Sequence, residues 1–236
     1  MPKWIQGEII RIKQRTETTR SFWLKLDGIE VFEFQPGQFI TLDLPIGEKR
    51  VDKWRSYSIA SAPDGTNVIE LVIVKVPFGK ATSYLFDLEE GAKLKLKGPG
   101  GVFCLPKEIN HSLVFISTGT GVAPFRSMIQ GLNSEETFPK IHLIFGTRHR
   151  DGILYLEEWQ KLSEEQAHFK YDIALSREDY NGYRGYVHDI YKKFYSDPKP
   201  NLLFYLCGWQ NMVDEARKNL LDLGYQKNQI IEELYG

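Results

Sequence analysis

The apolar positions change rhythm partway along the chain. From Trp4 to about Gly98, short apolar or alternating runs are broken by turn residues. The runs are Ile5–Gln14, Ser21–Leu26, Gln38–Leu44, Arg55–Ala60, Val68–Val76 and Ala92–Lys97. Breaks fall at Asp27-Gly28, Pro36-Gly37, Pro45-Ile46-Gly47 and Ala62-Pro63-Asp64-Gly65. Runs of this kind, bounded by Gly, Pro and Asp, are the pattern of half-buried strands. Six such strands, with one short helical insert near Thr82–Leu88, predict an antiparallel barrel or sandwich.

From His111 onward, strand and helix patterns alternate. The apolar run Leu113–Ser117 precedes helical spacing over Val122–Leu132, and Ile141–Phe145 precedes a helix over Ile153–Leu162. Tyr171–Leu175 leads to Tyr186–Phe194, Leu202–Leu206 leads to Gln210–Leu223, and Gln229–Leu234 reads as a last strand. Continuous apolar strands fit a parallel sheet covered on both faces. This half therefore predicts a doubly wound α/β domain with a five-stranded parallel sheet. The boundary is expected near Pro106-Lys107-Glu108, giving domains 1–105 and 106–236.

Composition narrows the class. Hydrophobic residues make up 42% of the 236 and charged residues 26%, enough apolar surface for two real cores. Lys plus Arg number 30 against 31 Asp plus Glu, a net charge of −1 that gives a nucleic-acid role no support. The two cysteines, Cys104 and Cys207, are too few for a disulfide framework, a zinc ribbon or a four-cysteine iron–sulfur site. The first residues lack the apolar run of a signal peptide, and no stretch reaches the ~18 apolar residues of a membrane span. A cytoplasmic protein with no membrane partner is expected, its length used up by one barrel and one α/β domain.

The chemistry-bearing residues lie at strand ends. Ser117-Thr118-Gly119-Thr120-Gly121-Val122-Ala123-Pro124 falls where the first parallel strand meets its helix. Glycines there let the backbone approach a pyrophosphate, and the helix start offers free N–H groups; a plain strand–helix connection explains the same turn. The second strand ends in Arg148 where an NAD site carries an acidic residue, and the third ends Ser176-Arg177-Glu178, with Arg184 beyond. Guanidinium forks suit a 2′-phosphate, although each arginine alone also fits an ordinary solvated surface.

Several motifs together resemble the ferredoxin–NADP reductase family. In the barrel half these are Arg55-Ser56-Tyr57-Ser58, Gly79-Lys80-Ala81-Thr82-Ser83 and Gly98-Pro99-Gly100-Gly101-Val102-Phe103. In the second half they are Gly119-Thr120-Gly121-Val122-Ala123-Pro124-Phe125 and Cys207-Gly208-Trp209-Gln210-Asn211-Met212. The resemblance implies a six-stranded flavin barrel followed by an α/β nucleotide domain, with FAD and NADP(H) as cofactors. It implies that Arg55 pairs with the flavin phosphate, Tyr57 packs on the isoalloxazine, and Ser58 sits near flavin N5. The Gly79–Ser83 turn, including Lys80, Ala81 and the Thr82 hydroxyl, would hold the flavin phosphates. Gly119, Thr120 and Gly121 would take the nucleotide pyrophosphate, while Arg148, Ser176, Arg177 and Arg184 read the 2′-phosphate and Tyr186 stacks on adenine. Cys207 and Glu233 would lie by the nicotinamide. Tyr235 matches the family's terminal tyrosine, but Gly236 follows it, so its ring is expected either to cover the flavin or to lie near the adenine end.

What the resemblance implies is electron exchange between NADP(H) and a separate carrier, a ferredoxin or flavodoxin, by a monomer. The cation pairs Lys49-Arg50 and Lys192-Lys193, with Lys3, suit an acidic carrier as well as plain solvent. Other readings remain: the reductase component of an oxygenase, a free-flavin reductase, or a non-catalytic regulatory subunit.

Overall fold

The computed structural model describes residues 3–132, 138–179 and 182–235, apart from the side chain of Tyr235. Two compact units emerge: Met1–Leu105 together with Ala123–Gly131, and Pro106–Val122 together with Leu132–Gly236.

In the first unit the strands are β1 (Ile5–Thr16), β2 (Thr19–Leu26), β3 (Phe39–Asp43), β4 (Trp54–Ser58), β5 (Val68–Val74) and β6 (Lys93–Gly100). They form one antiparallel sheet in the order β4-β3-β6-β1-β2-β5. Alternation drives it: Phe22, Leu24 and Leu26 of β2 are buried while Lys25 between them is exposed. An antiparallel bridge between Ile59, just past β4, and Leu71 of β5 joins the two sheet edges, so the sheet closes as a barrel. Its interior is filled by Ile9, Phe22, Leu24, Ile40, Leu42, Leu71 and Leu96. Two short helices interrupt the strands, α1 (Arg50–Lys53) and α2 (Lys80–Phe86), and α2 buries Ala81, Leu85 and Phe86 against that core. Most of α3 (Val122–Leu132) groups with this unit. There Arg126 donates to Ala60 O at 2.9 Å, and Ser127 Oγ donates to Ser61 O at 2.6 Å.

The second unit holds β7 (Ser112–Thr118), β8 (Ile141–Thr147), β9 (Phe169–Leu175), β10 (Tyr183–Arg184), β11 (Leu202–Trp209) and β12 (Ile230–Tyr235). Between them run α4 (Leu156–Glu165), α5 (Val187–Phe194) and α6 (Gln210–Asp222). The sheet is parallel throughout, in the order β10-β9-β8-β7-β11-β12. Leu113 to Ser117 are all buried, as a strand covered on both faces requires.

Two expectations need correction. The sheet has a sixth strand, β10, too short to leave an apolar signal. It is set by Tyr183 and Arg184 pairing with Ala174 and Leu175. The helix expected from Ile153 begins only at Leu156, because Tyr155 takes a left-handed φ of 58° and breaks the helical run. Ile153 and Leu154 are buried all the same, so their apolar spacing reports packing and not helix.

Candidate cofactor sites

In the barrel unit, β4 carries Arg55, Tyr57 and Ser58. Arg55 and Tyr57 stand two apart, and so on the same side of the strand. Arg55 donates from Nη1 to Val51 O at 2.9 Å and to Trp54 O at 2.8 Å, anchoring one guanidinium nitrogen. Tyr57 is half-buried against the barrel core. Burial pushes its phenol up to about 12, the nearby Arg55 charge working the other way, so the ring is neutral at physiological pH. Ser58 is buried, at 5% exposure.

Gly79 stands before the first turn of α2, which has neither a side-chain cap nor an acidic residue. That leaves backbone N–H groups free for an anion. A Cβ on Gly79 would lie 2.8 Å from Thr82 Oγ1, so only glycine fits. Thr82 Oγ1 accepts from the Val76 N–H at 3.1 Å and lies 3.2 Å from Gly79 O, which makes its hydroxyl a brace of the loop. Lys80 is exposed, Ala81 buried and Ser83 half-buried.

The second unit has its topological switch point at β7: the chain runs outward through β8, β9 and β10, then returns to β11 on the other side of β7. Parallel sheets bind ligands at such a point, beyond the carboxyl strand ends. There, Gly119–Gly121 form a 3-10 turn that runs into α3. A Cβ on Gly121 would lie 2.3 Å from Cys207 O, so the loop is pressed against the end of β11 and admits no larger residue. Cys207 is fully buried and stands in register between Ser117 of β7 and Glu233 of β12, which puts the three in one row across the sheet. Ser117 Oγ is buried with no hydrogen-bond partner among the described residues. Tyr235 pairs in register with Trp209; its ring and Gly236 lie outside the described residues.

The neighbouring strand ends gather the basic residues. The Ser176 N–H donates to Thr147 O and the Arg177 N–H to Arg148 O, both at 3.0 Å, so the β8 and β9 ends run on side by side. The Gly185 N–H donates to Leu175 O at 2.9 Å and brings in Arg184. Arg148, Arg177 and Arg184 are all exposed, and Arg184 pairs with the equally exposed Asp179 at 2.9 Å. Tyr186, at 68% exposure, follows on the same edge.

The chain matches the oxidoreductase FAD-binding domain over residues 6–104 and the oxidoreductase NAD-binding domain over 115–218. It is 34% identical to ferredoxin–NADP reductase B of Sorangium cellulosum, covering 89% of this chain and 88% of that one. The chain belongs to the ferredoxin–NADP reductase family. It is thus an oxidoreductase whose two domains bind FAD and a nicotinamide dinucleotide. The phenol hydroxylase P5 protein of Acinetobacter pittii is 30% identical over 92% of this chain, which spans 61% of that longer relative. Among solved structures, the cytochrome P450 reductase of Amycolatopsis superposes with a TM-score of 0.88 at 27% identity, over 99% of this chain and 70% of that one. A ferredoxin–NADP+ reductase from Neisseria gonorrhoeae with bound FAD and NADP shares the fold, with a TM-score of 0.84 at 24% identity over 98% of both chains. The residues present fit both cofactors: an uncapped helix start and a strand-borne arginine in one unit, and a glycine turn with a buried hydroxyl lacking a partner among the described residues in the other.

One residue escaped the sequence reading. Trp209 is 59% exposed, its backbone N–H faces Thr118 Oγ1 at 3.4 Å, and its indole nitrogen lies 4.0 Å from where a Gly119 Cβ would be. It stands inside the quoted Cys207–Met212 motif, but nothing in a residue pattern says that a tryptophan ending an apolar strand stays out of the core.

Proposed function

We propose that the chain is an FAD-dependent reductase that exchanges a hydride with NADP(H) and serves a separate one-electron carrier, a ferredoxin or flavodoxin. When bound, FAD supplies the conversion between two-electron and one-electron chemistry. The observation that carries the choice of NADP(H) is the juxtaposition of Arg148 and Arg177 at adjoining strand ends, with Ser176 between them and Arg184 on the next strand. Three exposed guanidinium groups at one sheet edge match a phosphate monoester better than a ribose diol.

In this reading, Arg55 and the first turn of α2 hold the flavin phosphates, Lys80, Ala81 and Ser83 form that turn, and Thr82 keeps it closed. The neutral Tyr57 ring supplies a flat apolar face for the isoalloxazine, and the Ser58 hydroxyl a small donor near N5. Gly119, Thr120 and Gly121 bind the dinucleotide pyrophosphate and Tyr186 its adenine. Cys207 and Glu233 orient the nicotinamide, and Tyr235 either covers the flavin or serves the adenine end. The carrier role is supported by the Sorangium relative, whose length this chain nearly spans. The working form is taken to be a cytoplasmic monomer.

A second reading, the reductase component of an oxygenase, is supported by the phenol hydroxylase and P450 reductase relatives. Offering ferredoxin, flavodoxin and free flavin side by side as acceptors, with NADPH as donor, separates the readings. Reduction of a protein carrier well ahead of free flavin is expected; turnover with free flavin alone sinks the carrier role.

A further inference from the structure

The strand β12 is last in its sheet. β11 supports one edge, from Phe204 opposite Ile230 to Trp209 opposite Tyr235, and no strand pairs the other edge among the described residues. An edge strand opens more readily than a central one, because a single row of backbone bonds holds it. Opening here would disturb the site. Glu233 stands opposite Cys207, which stands opposite Ser117, so the edge strand completes the row at the switch point.

Side chains supplement the backbone ladder. At the start of the strand, Gln229 donates from Nε2 to Lys199 O at 2.9 Å and to Leu202 O at 3.0 Å, and Ile230 packs into the core of the second unit. Two residues further, Arg217 of α6 donates from Nη1 to Glu232 Oε1 at 2.6 Å. Arg217 is itself oriented along its helix. Its Nη2 donates to Asp214 Oδ1, and Asp214 Oδ2 accepts from Gln210 Nε2 at 2.9 Å. Gln210, Asp214 and Arg217 are spaced along one helix face, so a chain of polar bonds follows α6 and ends on the residue before Glu233.

The Arg217–Glu232 pair does little for stability as such. Its side chains are 43% and 28% exposed, and ion pairs that water reaches contribute weakly. Its geometry matters more. Glu232 Oε2 is buried with no hydrogen-bond partner among the described residues, so Oε1 carries the contact of this carboxylate with the helix. Without the guanidinium, the carboxylate regains partners by turning to water, and the strand that carries it lifts from α6. Side chains alternate along a strand, so Glu232 facing the helix leaves Glu233 on the opposite face. We propose that Arg217 is a positioning residue: through Glu232 it clamps β12 to α6 and keeps Glu233 beside Cys207. On the reading above, on which this inference rests, Glu233 and Cys207 orient the nicotinamide, so losing the clamp slows hydride exchange.

Two measurements on the full-length FAD-loaded protein test this: hydrogen exchange of its backbone amides, and the rate at which saturating NADPH reduces the flavin without oxygen. In Arg217→Met, the β12 amides that bond to β11 are expected to exchange at least about tenfold faster, with the β7 amides unchanged. Flavin reduction should slow about tenfold, as small misplacements of a positioned group do, while the FAD dissociation constant keeps its wild-type value. Arg217→Met combined with Glu232→Leu should regain most of the rate, because no carboxylate is left to turn outward. Unchanged exchange or unchanged reduction in Arg217→Met overturns the proposal. So does a double variant no faster than Arg217→Met, or an FAD affinity that falls with the rate, which marks general damage to the fold. Glu233→Gln separates the two levels. If it slows reduction while Arg217→Met does not, the clamp fails and the reading of Glu233 survives; wild-type reduction in Glu233→Gln ends both. A wild-type flavin that NADPH leaves oxidised also ends both.

Discussion

Arg177 reaches its place through its backbone: its N–H bonds to Arg148 O, so two guanidinium groups leave adjoining strand ends together. A charge-assisted bond to a phosphate is worth enough that Arg177→Ala should raise the KM for NADPH about tenfold or more. The KM for NADH and kcat should stay near wild type, the pattern of lost uniform binding. Steady-state kinetics with both nucleotides check it, and equal losses with both would assign Arg177 to the structure. These arginines were legible in the sequence because strand ends can be located from apolar runs. Glu70 was not. It sits inside the apolar strand Val68–Val74, is only 2% exposed, and is held by Arg15 at 3.0 Å and Arg126 at 2.8 Å. Its partners lie 55 and 56 residues away in sequence, so no local pattern could pair them. A carboxylate buried this deeply is tolerated because guanidinium groups meet it from two elements.

At the level of elements, long apolar segments were readable and short or strained ones were not. The α3 range Val122–Leu132 and the starts of β1, β5, β8 and β11 follow from periodicity, since burial alone selects their residues. The helix α1 and the strand β10 are four and two residues long, below the length at which a period can be seen. The late start of α4 depends on one left-handed residue, Tyr155, a backbone choice that its aromatic side chain does not announce. Packing among elements also creates a pH dependence. His142 of β8 is 5% exposed, with Nδ1 2.8 Å from Tyr195 Oη and Nε2 2.8 Å from Asp172 Oδ2. Burial lowers its pKa below the ordinary 6.5 and outweighs the Asp172 hydrogen bond, which favours the charged ring. The neutral imidazole suits its partners, accepting from the tyrosine and donating to the carboxylate. His188 is likewise lowered, first of all by burial. The unfolded chain then binds protons more readily, so stability is full above the unfolded value and falls as pH drops below it. Urea midpoints should decline from about pH 7.5 to about pH 5.5, and His142→Asn should flatten the decline. A flat wild-type profile would contradict this.

The first unit is an antiparallel barrel that carries Arg55 on a strand and an uncapped helix start at α2, and the second is a parallel sheet that presents a glycine turn at its switch point. The motif order along the chain already separated these tasks, because both glycine motifs, Gly79–Ser83 and Gly119–Gly121, sit where a strand or loop gives way to a helix and backbone groups are free. How the chain's electrons leave was harder to read, since carrier choice resides in surfaces that no motif marks. On the proposed function, bound FAD takes its electrons from NADPH. The most direct measurement mixes the FAD-loaded protein with NADPH, and separately with NADH, without oxygen, and follows the visible absorbance of the bound flavin. Full bleaching by one equivalent of NADPH is expected, at least about tenfold faster than by NADH at the same low concentration. A flavin that neither nucleotide bleaches, or one that NADH bleaches faster, would contradict it.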